Sequence, residues 1–363
     1  MSTLIVTGGA GFIGSSFVRL AAQRGARVVV ADALTYAGSL RNLEGCLEDG
    51  SVAFERVDIA DRAAVRGLFE RHRPDAVVNF AAETHVDRSI DDPGVFVRTN
   101  VAGTFELLEA ARRHLASRAA DAGRFRFVQI STDEVFGSLG DHGTFDENSP
   151  CRPNSPYAAS KAAGDHLARA WHATWGLPVL VTHCSNNLGP RQYPEKLVPL
   201  MILNALEGRD LPIYGDGGNI RDWLYVEDHC EAVWKVLERG TPGESYAIGA
   251  GNAQRNVDLV GAICDALERE RPAAANAALQ RRGAASYRAL QTFVADRRGH
   301  DRRYALDASK IRTALGWSPR HDPAGALTAT VRWYLENLEW CAAISAGRDA
   351  RARQGLAGAA EAS

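Results

Sequence analysis

Thr3-Leu-Ile-Val-Thr-Gly-Gly-Ala-Gly-Phe-Ile-Gly14 is the stretch whose reading decides the fold. It opens as a short apolar run rich in β-branched residues, the pattern of a buried strand. Gly8, Gly11 and Gly14 follow at intervals of three, and Phe17, Val18, Leu20 and Ala21 then recur at helical spacing. A strand entering a helix through such a turn needs glycine for the tight reversal, for backbone approach to a pyrophosphate, and for close helix–strand packing. The phosphates would rest on the helix N-terminus, where free N–H groups and the dipole favour anions. Glycines alone are weak evidence, because a ligand-free strand–helix turn uses them too.

The next segment strengthens the reading. Val28-Val-Val-Ala31 is a second strand, and Asp32 ends it, 18 residues after Gly14. An acid there suits hydrogen bonds to the adenosine ribose hydroxyls and repels a 2′-phosphate. NAD is therefore favoured over NADP, and Ala33-Leu34-Thr35-Tyr36 brings no early arginine to hold that phosphate.

Alternation continues along the chain. Val52–Phe54 leads into Val57-Asp58-Ile59 as a third strand, and Ala63–His72 reads as helix. Asp75–Ala82 is a fourth, nearly all-apolar strand, and Val95–His114 is helical. Phe125–Ile130 is a fifth strand, 157–175 a helix and Val179–Thr182 a sixth strand. Apolar strands alternating with helices predict an α/β fold: a doubly wound parallel sheet of the Rossmann type, covered on both faces. Ligands bind at the carboxyl ends of such strands. Gly8–Gly14, Asp32, Asp58–Ile59, Ala81–Thr84, Ser131–Glu134 and Cys184–Asn187 all lie there.

After about residue 185 the alternation degrades into turns rich in Gly and Pro, with helices expected at 256–270 and 323–340. The expected division is a dinucleotide-binding domain at 1–185 and a smaller α+β, mainly substrate-binding domain at 186–340. Segments near 222–248 are expected to return to the first domain. Residues 271–290 are Ala-rich with weak periodicity, and 341–363 reads as a flexible tail.

Bulk properties exclude several function classes. The 363 residues are 45% hydrophobic and 24% charged, ordinary for a globular protein. A formal net charge of -2 argues against a general nucleic-acid or membrane-surface binder. Six cysteines without C-x-x-C spacing argue against a structural metal site or a disulfide framework. No basic leader with an apolar core opens the chain, and no apolar run nears the ~20 residues that span a bilayer. A cytoplasmic protein with no metal, nucleic-acid or membrane partner is expected.

Two further motifs carry chemistry. Tyr157 and Lys161 are one helical turn apart and share a face. A free tyrosine has a pKa near ~10, and a nearby ammonium with the positive nicotinamide ring would favour its phenolate. Such a Tyr can take a hydroxyl proton while hydride leaves the same carbon. Ser131-Thr132-Asp133-Glu134 sets two carboxyls side by side, whose pKa values are pushed apart so that one serves as acid and the other as base. A Ser-Thr-Asp-Glu run can also simply cap a short helix.

Together these motifs give a resemblance over roughly residues 3–338. It rests on Thr7–Gly14, Asp32–Gly38, Ala81–Ser89, Ser131–Val135, Ser155–Lys161, Ser185-Asn-Asn187, Pro194–Leu197 and Gly299-His300. The chain resembles the extended short-chain dehydrogenase/reductase family, and within it the dTDP-glucose 4,6-dehydratases. Epimerases and decarboxylases share the glycine and Tyr/Lys motifs but usually lack the Thr-Asp-Glu triplet. The resemblance implies a hydro-lyase that oxidises C4 of a nucleotide-linked glucose, eliminates water across C5 and C6, and returns the hydride to C6. Tyr157 would be the base at C4, Thr132 would hold that hydroxyl, and Lys161 would keep the Tyr anionic. Glu134 would take the C5 proton and Asp133 would protonate the leaving oxygen.

The resemblance further implies cofactor contacts at Gly8, Gly11, Phe12, Ile13, Gly14, Asp32, Leu34, Thr35, Asp58, Ile59, Phe80, Ala81, Ala82, Thr84, Thr99, Tyr157, Lys161 and Asn187. It implies substrate contacts at Thr84, Thr132, Asn186, Lys196, Leu197, Pro212, Ile213, Tyr214, Arg221, Asn256, Arg297 and His300. It also implies a homodimer through the helices at 95–114 and 157–175. Phe136, Leu188, Arg191-Gln192-Tyr193 and Arg298 depart from the family's pattern. The competing readings are a dehydratase for another nucleotide sugar, a C4 epimerase, and a non-catalytic NAD-binding subunit.

Overall fold

Seven apolar runs pair into one parallel sheet in the computed structural model, which describes residues 2–48, 50–117, 125–297 and 299–346. They are β1 (Thr3–Thr7), β2 (Arg27–Asp32), β3 (Val52–Arg56), β4 (Ala76–Asn79), β5 (Arg126–Thr132), β6 (Val179–Cys184) and the strand Ser245–Ile248. Their order is Ser245–Ile248, β6, β5, β4, β1, β2, β3, every neighbouring pair parallel. The winding reverses between β1 and β4, and a doubly wound sheet opens its ligand crevice at that reversal.

Side chains alternate between the two faces. Leu4 and Val6 of β1 enter one core with Phe17, Val28, Val30 and Val128. Ile5 enters the other with Val29, Val77, Leu107 and Phe127. Each fully buried aliphatic or Phe side chain contributes roughly 1.5–3 kcal/mol, so the helices are held to the sheet mainly by these two layers. The helix Pro156–Trp175, which carries Tyr157 and Lys161, has clear local ends. Ser155 Oγ accepts from Ala158 N, Pro156 sits in the first turn, and Gly176 stops it at φ 68°.

Past β6 the strands shorten. Asn186–Leu188, Ile220–Tyr225 and Ala253–Arg255 form a three-stranded sheet, and Leu211–Tyr214 pairs with Gln291–Val294. Helices Leu197–Leu206, Asn256–Glu270 and Pro323–Glu336 gather on them around Met201, Ile202, Leu259, Ile263, Val331 and Tyr334. The helix Val226–Arg239 instead packs on the large sheet, where Val226, Cys230, Val233 and Trp234 join the core of Phe17 and Val18. The strand before it divides its side chains: Leu224 goes to that core, Trp223 and Tyr225 to the smaller one.

Several boundaries differ from the sequence expectation. The fourth strand ends at Asn79 rather than Ala82: Phe80 N still donates to Thr7 O at 3.0 Å, and Phe80–Ala82 then line the cleft. Val57–Ile59 follow β3 rather than belonging to it. The single helix expected at 95–114 is three segments: α at Pro93–Phe96, π at Val97–Gly103 and α at Thr104–Ala116. Residues 323–340 hold two helices, Pro323–Glu336 and Leu338–Ser345. The tail expected from 341 therefore starts inside a helix, with Cys341 buried. Residues 347–363 and Arg298 lie outside the described residues.

Candidate active site

The carboxyl ends of β1, β2, β4, β5 and β6 open into a cleft of about 690 Å³. The smaller core's elements face it across Asn186, Lys196, Leu197, Pro212, Ile213, Tyr214, Arg221 and Asn256. At the β1 end, the glycine turn leaves no room for side chains. A Cβ on Gly8, which has φ +67°, would lie 2.6 Å from Ala81 N, and one on Gly14 would lie 2.2 Å from Gly8 O. The helix Phe12–Gln23 begins at Gly11 without a side-chain cap, so its first turn faces the cleft bare. Asp32 closes this end: its carboxylate accepts from Ala10 N at 2.9 Å and Leu34 N at 2.8 Å. Burial raises its pKa and those two backbone bonds oppose the rise. Each oxygen keeps further acceptor capacity, and Asp32 lines the cleft.

Thr35, Asp58, Ile59, Phe80, Ala81, Ala82, Thr84, Thr99 and Asn187 line the same end. Leu34 does not. Its side chain packs against the core of Phe17 and Val30, and its backbone N–H braces Asp32. Asp58 is held by Arg98 Nη2 at 2.5 Å and accepts from Ala60 N at 2.9 Å.

At the middle of the cleft, β5 delivers Ser131-Thr132-Asp133-Glu134. Residues Asp133–Phe136 form one 3₁₀ turn capped by Thr132, whose Oγ1 accepts from Glu134 N at 3.3 Å. Thr132 thus caps the turn, as a Ser-Thr-Asp-Glu run can. The turn sends the two carboxyls to different places. Glu134 lines the cleft, whereas Asp133 is 1% exposed and lies beneath the lining. Thr132 Oγ1 donates to Asp133 Oδ1 at 3.2 Å, and Asp133 Oδ2 has no hydrogen-bond partner among the described residues.

Their electrostatic surroundings differ as much. Burial pushes Asp133 well above the carboxylate range, and Glu134 and Asp222 push it further, against Arg221 and the Thr132 bond. Burial also raises Glu134, but Arg297, Arg221 and Lys196 all oppose it. The surroundings thus favour the protonated form of Asp133, whereas three cationic side chains favour the ionised form of Glu134.

Tyr157, 7% exposed, and Lys161, 5% exposed, both line the cleft. Burial raises the Tyr157 phenol well above 10, with Glu134, Cys184 and Asp133 adding to it and Thr132 opposing. Lys161 Nζ donates to Ile130 O at 2.6 Å. Its own pKa is lowered by burial, against Asp165 and Cys184.

Further along, Arg221 is nearly buried, its guanidinium 4.1 Å from the Tyr304 ring centroid and donating to Asp301 O at 2.8 Å. Arg297 Nη1 donates to Asp87 Oδ1 at 3.2 Å, and Tyr214 OH donates to Asp87 Oδ2 at 3.3 Å. Lys196 Nζ reaches Thr84 O at 2.9 Å. His300 pairs with Asp296, and burial with the Arg297 charge brings its pKa to about 4. Asn186 and Asn256 each keep a buried Oδ1 without a partner among the described residues.

Sequence reasoning missed Tyr36, Glu83, His85, Asp87, Cys184, Glu195 and Tyr304, all of which line the cleft. All but Tyr304 stand inside or beside quoted motifs, and the available signal was their charge or polarity within those segments.

Comparison with known proteins agrees with this geometry. A family model described as GDP-mannose 4,6 dehydratase matches residues 5–327. The dTDP-glucose 4,6-dehydratase of Xanthomonas campestris pv. campestris (strain B100) is 51% identical over 96% of this chain and 97% of its own. Escherichia coli (strain K12) dTDP-glucose 4,6-dehydratase 1 is 48% identical over 95% of this chain and 96% of its own. The crystal structure of DesIV, a dTDP-glucose 4,6-dehydratase from Streptomyces venezuelae with NAD and TYD bound, superposes with a TM-score of 0.84. It is 45% identical and is matched over 94% of this chain and 99% of its own. With such identity along nearly its whole length, the chain belongs to the nucleotide-sugar 4,6-dehydratase family, among the dTDP-glucose 4,6-dehydratases.

Proposed function

We propose that this protein is the NAD-dependent hydro-lyase that converts dTDP-glucose into dTDP-4-keto-6-deoxyglucose. The observation that carries the reading is the unequal setting of Asp133 and Glu134: one buried and held protonated, the other in the cleft facing three cationic side chains. Enzymes that only oxidise and reduce C4 have no use for that pair.

The glycine turn, the bare helix start at Phe12 and the further acceptor capacity of Asp32 suit a dinucleotide, which Phe80–Ala82, Thr99 and Asn187 would flank. Bound NAD supplies a hydride acceptor, a hydride donor in its reduced form, and positive charge on its oxidised ring. Tyr157 takes the proton of the C4 hydroxyl, which Thr132 orients. Burial and two carboxyls hold the phenol protonated, so positive charge at the site has to lower it. A C4 ketone acidifies the proton on C5. Glu134 removes that proton, and Asp133 gives its own to the C6 oxygen, which leaves as water. Glu134 then returns a proton to C5.

Arg221, Arg297 and Lys196 are suited to the diphosphate. Leu197, Pro212, Ile213 and Tyr214 would face the base, and His300, Asn186 and Asn256 would complete the substrate site. In domain terms, residues 1–185 would hold the cofactor and the smaller core the substrate, with Val226–Ile248 serving the former. No helix among the described residues is long and apolar enough to cross a membrane, and the cytosol, where NAD and nucleotide sugars are supplied, is the proposed compartment. A homodimer through the helical stretches 95–114 and 157–175 is proposed, supported by the exposure of Val97 (56%) and Trp175 (50%).

The test is a comparison of kcat/KM for dTDP-glucose, UDP-glucose and GDP-mannose with the purified protein. A preference for dTDP-glucose of at least about a hundredfold is expected, the scale of roughly 2.7 kcal/mol. Equal turnover, or turnover of another sugar alone, would assign a different substrate.

A further inference from the structure

His229 stands outside every motif read from the sequence. It lies in the first turns of the helix Val226–Arg239 and is 0% exposed. Its Nδ1 is 3.0 Å from Asn187 Oδ1, and its Nε2 is buried without a hydrogen-bond partner among the described residues. The tautomer follows from the neighbours. Asn187 Nδ2 donates to Ser185 O at 2.9 Å, and a carbonyl can only accept, so the Asn187 oxygen faces His229. His229 must then carry its proton on Nδ1 and donate it. Burial holds its pKa at about 4, so the ring is neutral at ordinary pH. The whole polar capacity of this ring serves one bond to one side chain.

Asn187 lines the cofactor end of the cleft, on the short strand Asn186–Leu188. The strand's backbone is held separately: Gln192 Nε2 donates to Asn187 O at 2.9 Å, and Tyr334 OH to Gln192 O at 2.6 Å. Without His229, the Asn187 carboxamide would keep only its Ser185 bond and could rotate about χ2. The helix bearing His229 also touches the phosphate-loop helix, where Cys230 Sγ is 3.7 Å from Ile13 O.

We propose that His229 is a positioning residue that locks the Asn187 carboxamide in the orientation that retains bound NAD. The inference rests on the reading of Asn187 as a cofactor contact. His229 does not touch the cleft, and its effect passes entirely through Asn187.

The test uses purified holoenzyme charged with NADH. Release is followed by the loss of nucleotide fluorescence on dilution into excess NAD, and thermal unfolding of each variant checks folding. His229→Leu is expected to release nucleotide about tenfold faster, the scale of one lost buried hydrogen bond. His229→Asn, whose amide N–H can occupy the Nδ1 position, is expected to restore most of the retention. Asn187→Ala is expected to release as fast as His229→Leu, and the double variant no faster than either. Additive effects, or unchanged release in folded His229→Leu, would overturn the positioning role. Unchanged release in Asn187→Ala would instead overturn the cofactor-contact reading beneath it.

Discussion

Asp133 and Glu134 are adjacent in sequence, yet the 3₁₀ turn sends Glu134 into the cleft and buries Asp133 beneath it. Glu134 is therefore the carboxyl that can meet the C5 proton directly. Glu134→Gln removes the base and keeps the shape. It is expected to leave C4 oxidation intact and slow water loss by 10²–10⁴-fold, the usual contribution of a positioned base. Stopped-flow absorbance should then show enzyme-bound NADH building up on mixing with substrate. Full turnover without that accumulation would remove Glu134 from the elimination step.

Tyr157→Phe should abolish the accumulation itself. The phenol is the base for oxidation, and its loss is expected to lower the NADH-forming step by at least about 10²-fold. The sign of the pH dependence follows from its raised pKa. Below that pKa the phenolate fraction rises with pH, so the oxidation step in the native enzyme should accelerate as pH increases through the neutral range. Single-turnover rates across pH 6 to 9 measure this, and a flat or falling profile would contradict a phenolate base.

Much of this site was readable in the sequence because its parts sit at strand ends marked by local pattern. Gly8–Gly14, Asp32, Ser131–Glu134 and Tyr157/Lys161 each carry their own spacing or composition. Tyr304 carries none, and Asp87 and Glu195, though inside quoted motifs, take their place in the site through distant partners. Asp87 meets Arg297 and Tyr214 across more than a hundred residues. The direction of Lys161 was equally hidden, since Ile130 O is supplied by a neighbouring strand. Helical periodicity over 95–114 concealed the π-wound turn at Val97–Gly103, because an inserted residue shifts register without changing composition. In 271–290 the periodicity was weak because only Ala273, Leu279, Tyr287 and Leu290 reach the core, through short turns.

Gly8→Ala tests the cofactor turn. The new methyl would meet the Ala81 backbone at a φ that disfavours any side chain. A loss of about 1–3 kcal/mol in unfolding free energy is expected, the usual scale of overpacking. The purified variant should also carry less NAD, measured by absorbance after denaturation. Wild-type stability and full NAD content together would refute the steric account.

Three histidines make stability depend on pH. Folded His229 and His300 titrate at about 4 and His85 at about 2, against about 6.5 for an exposed imidazole. As pH falls below 6.5 the unfolded chain takes up these protons first, so stability is full above that value and is lost progressively toward pH 4. The cost is on the order of 1–2 kcal/mol per histidine at pH 5. Buried carboxyls such as Asp133, with raised pKa values, act in the opposite sense, so the histidine effect is read as a difference: between pH 7 and pH 5, denaturant titrations of His300→Gln should show less loss of stability, or more gain, than those of the native protein. An unchanged difference in that variant would exclude His300 as a contributor.

The central claim is that oxidation at C4, loss of water and reduction at C6 occur in one closed cycle at this site. Turnover of dTDP-glucose carrying deuterium at C4 tests it most directly, with NMR and mass analysis of the product. The account predicts a 4-keto-6-deoxy product lighter by one water, with the deuterium on C6 and no net NADH. A product that keeps its C6 oxygen, or deuterium returned to C4, would contradict it.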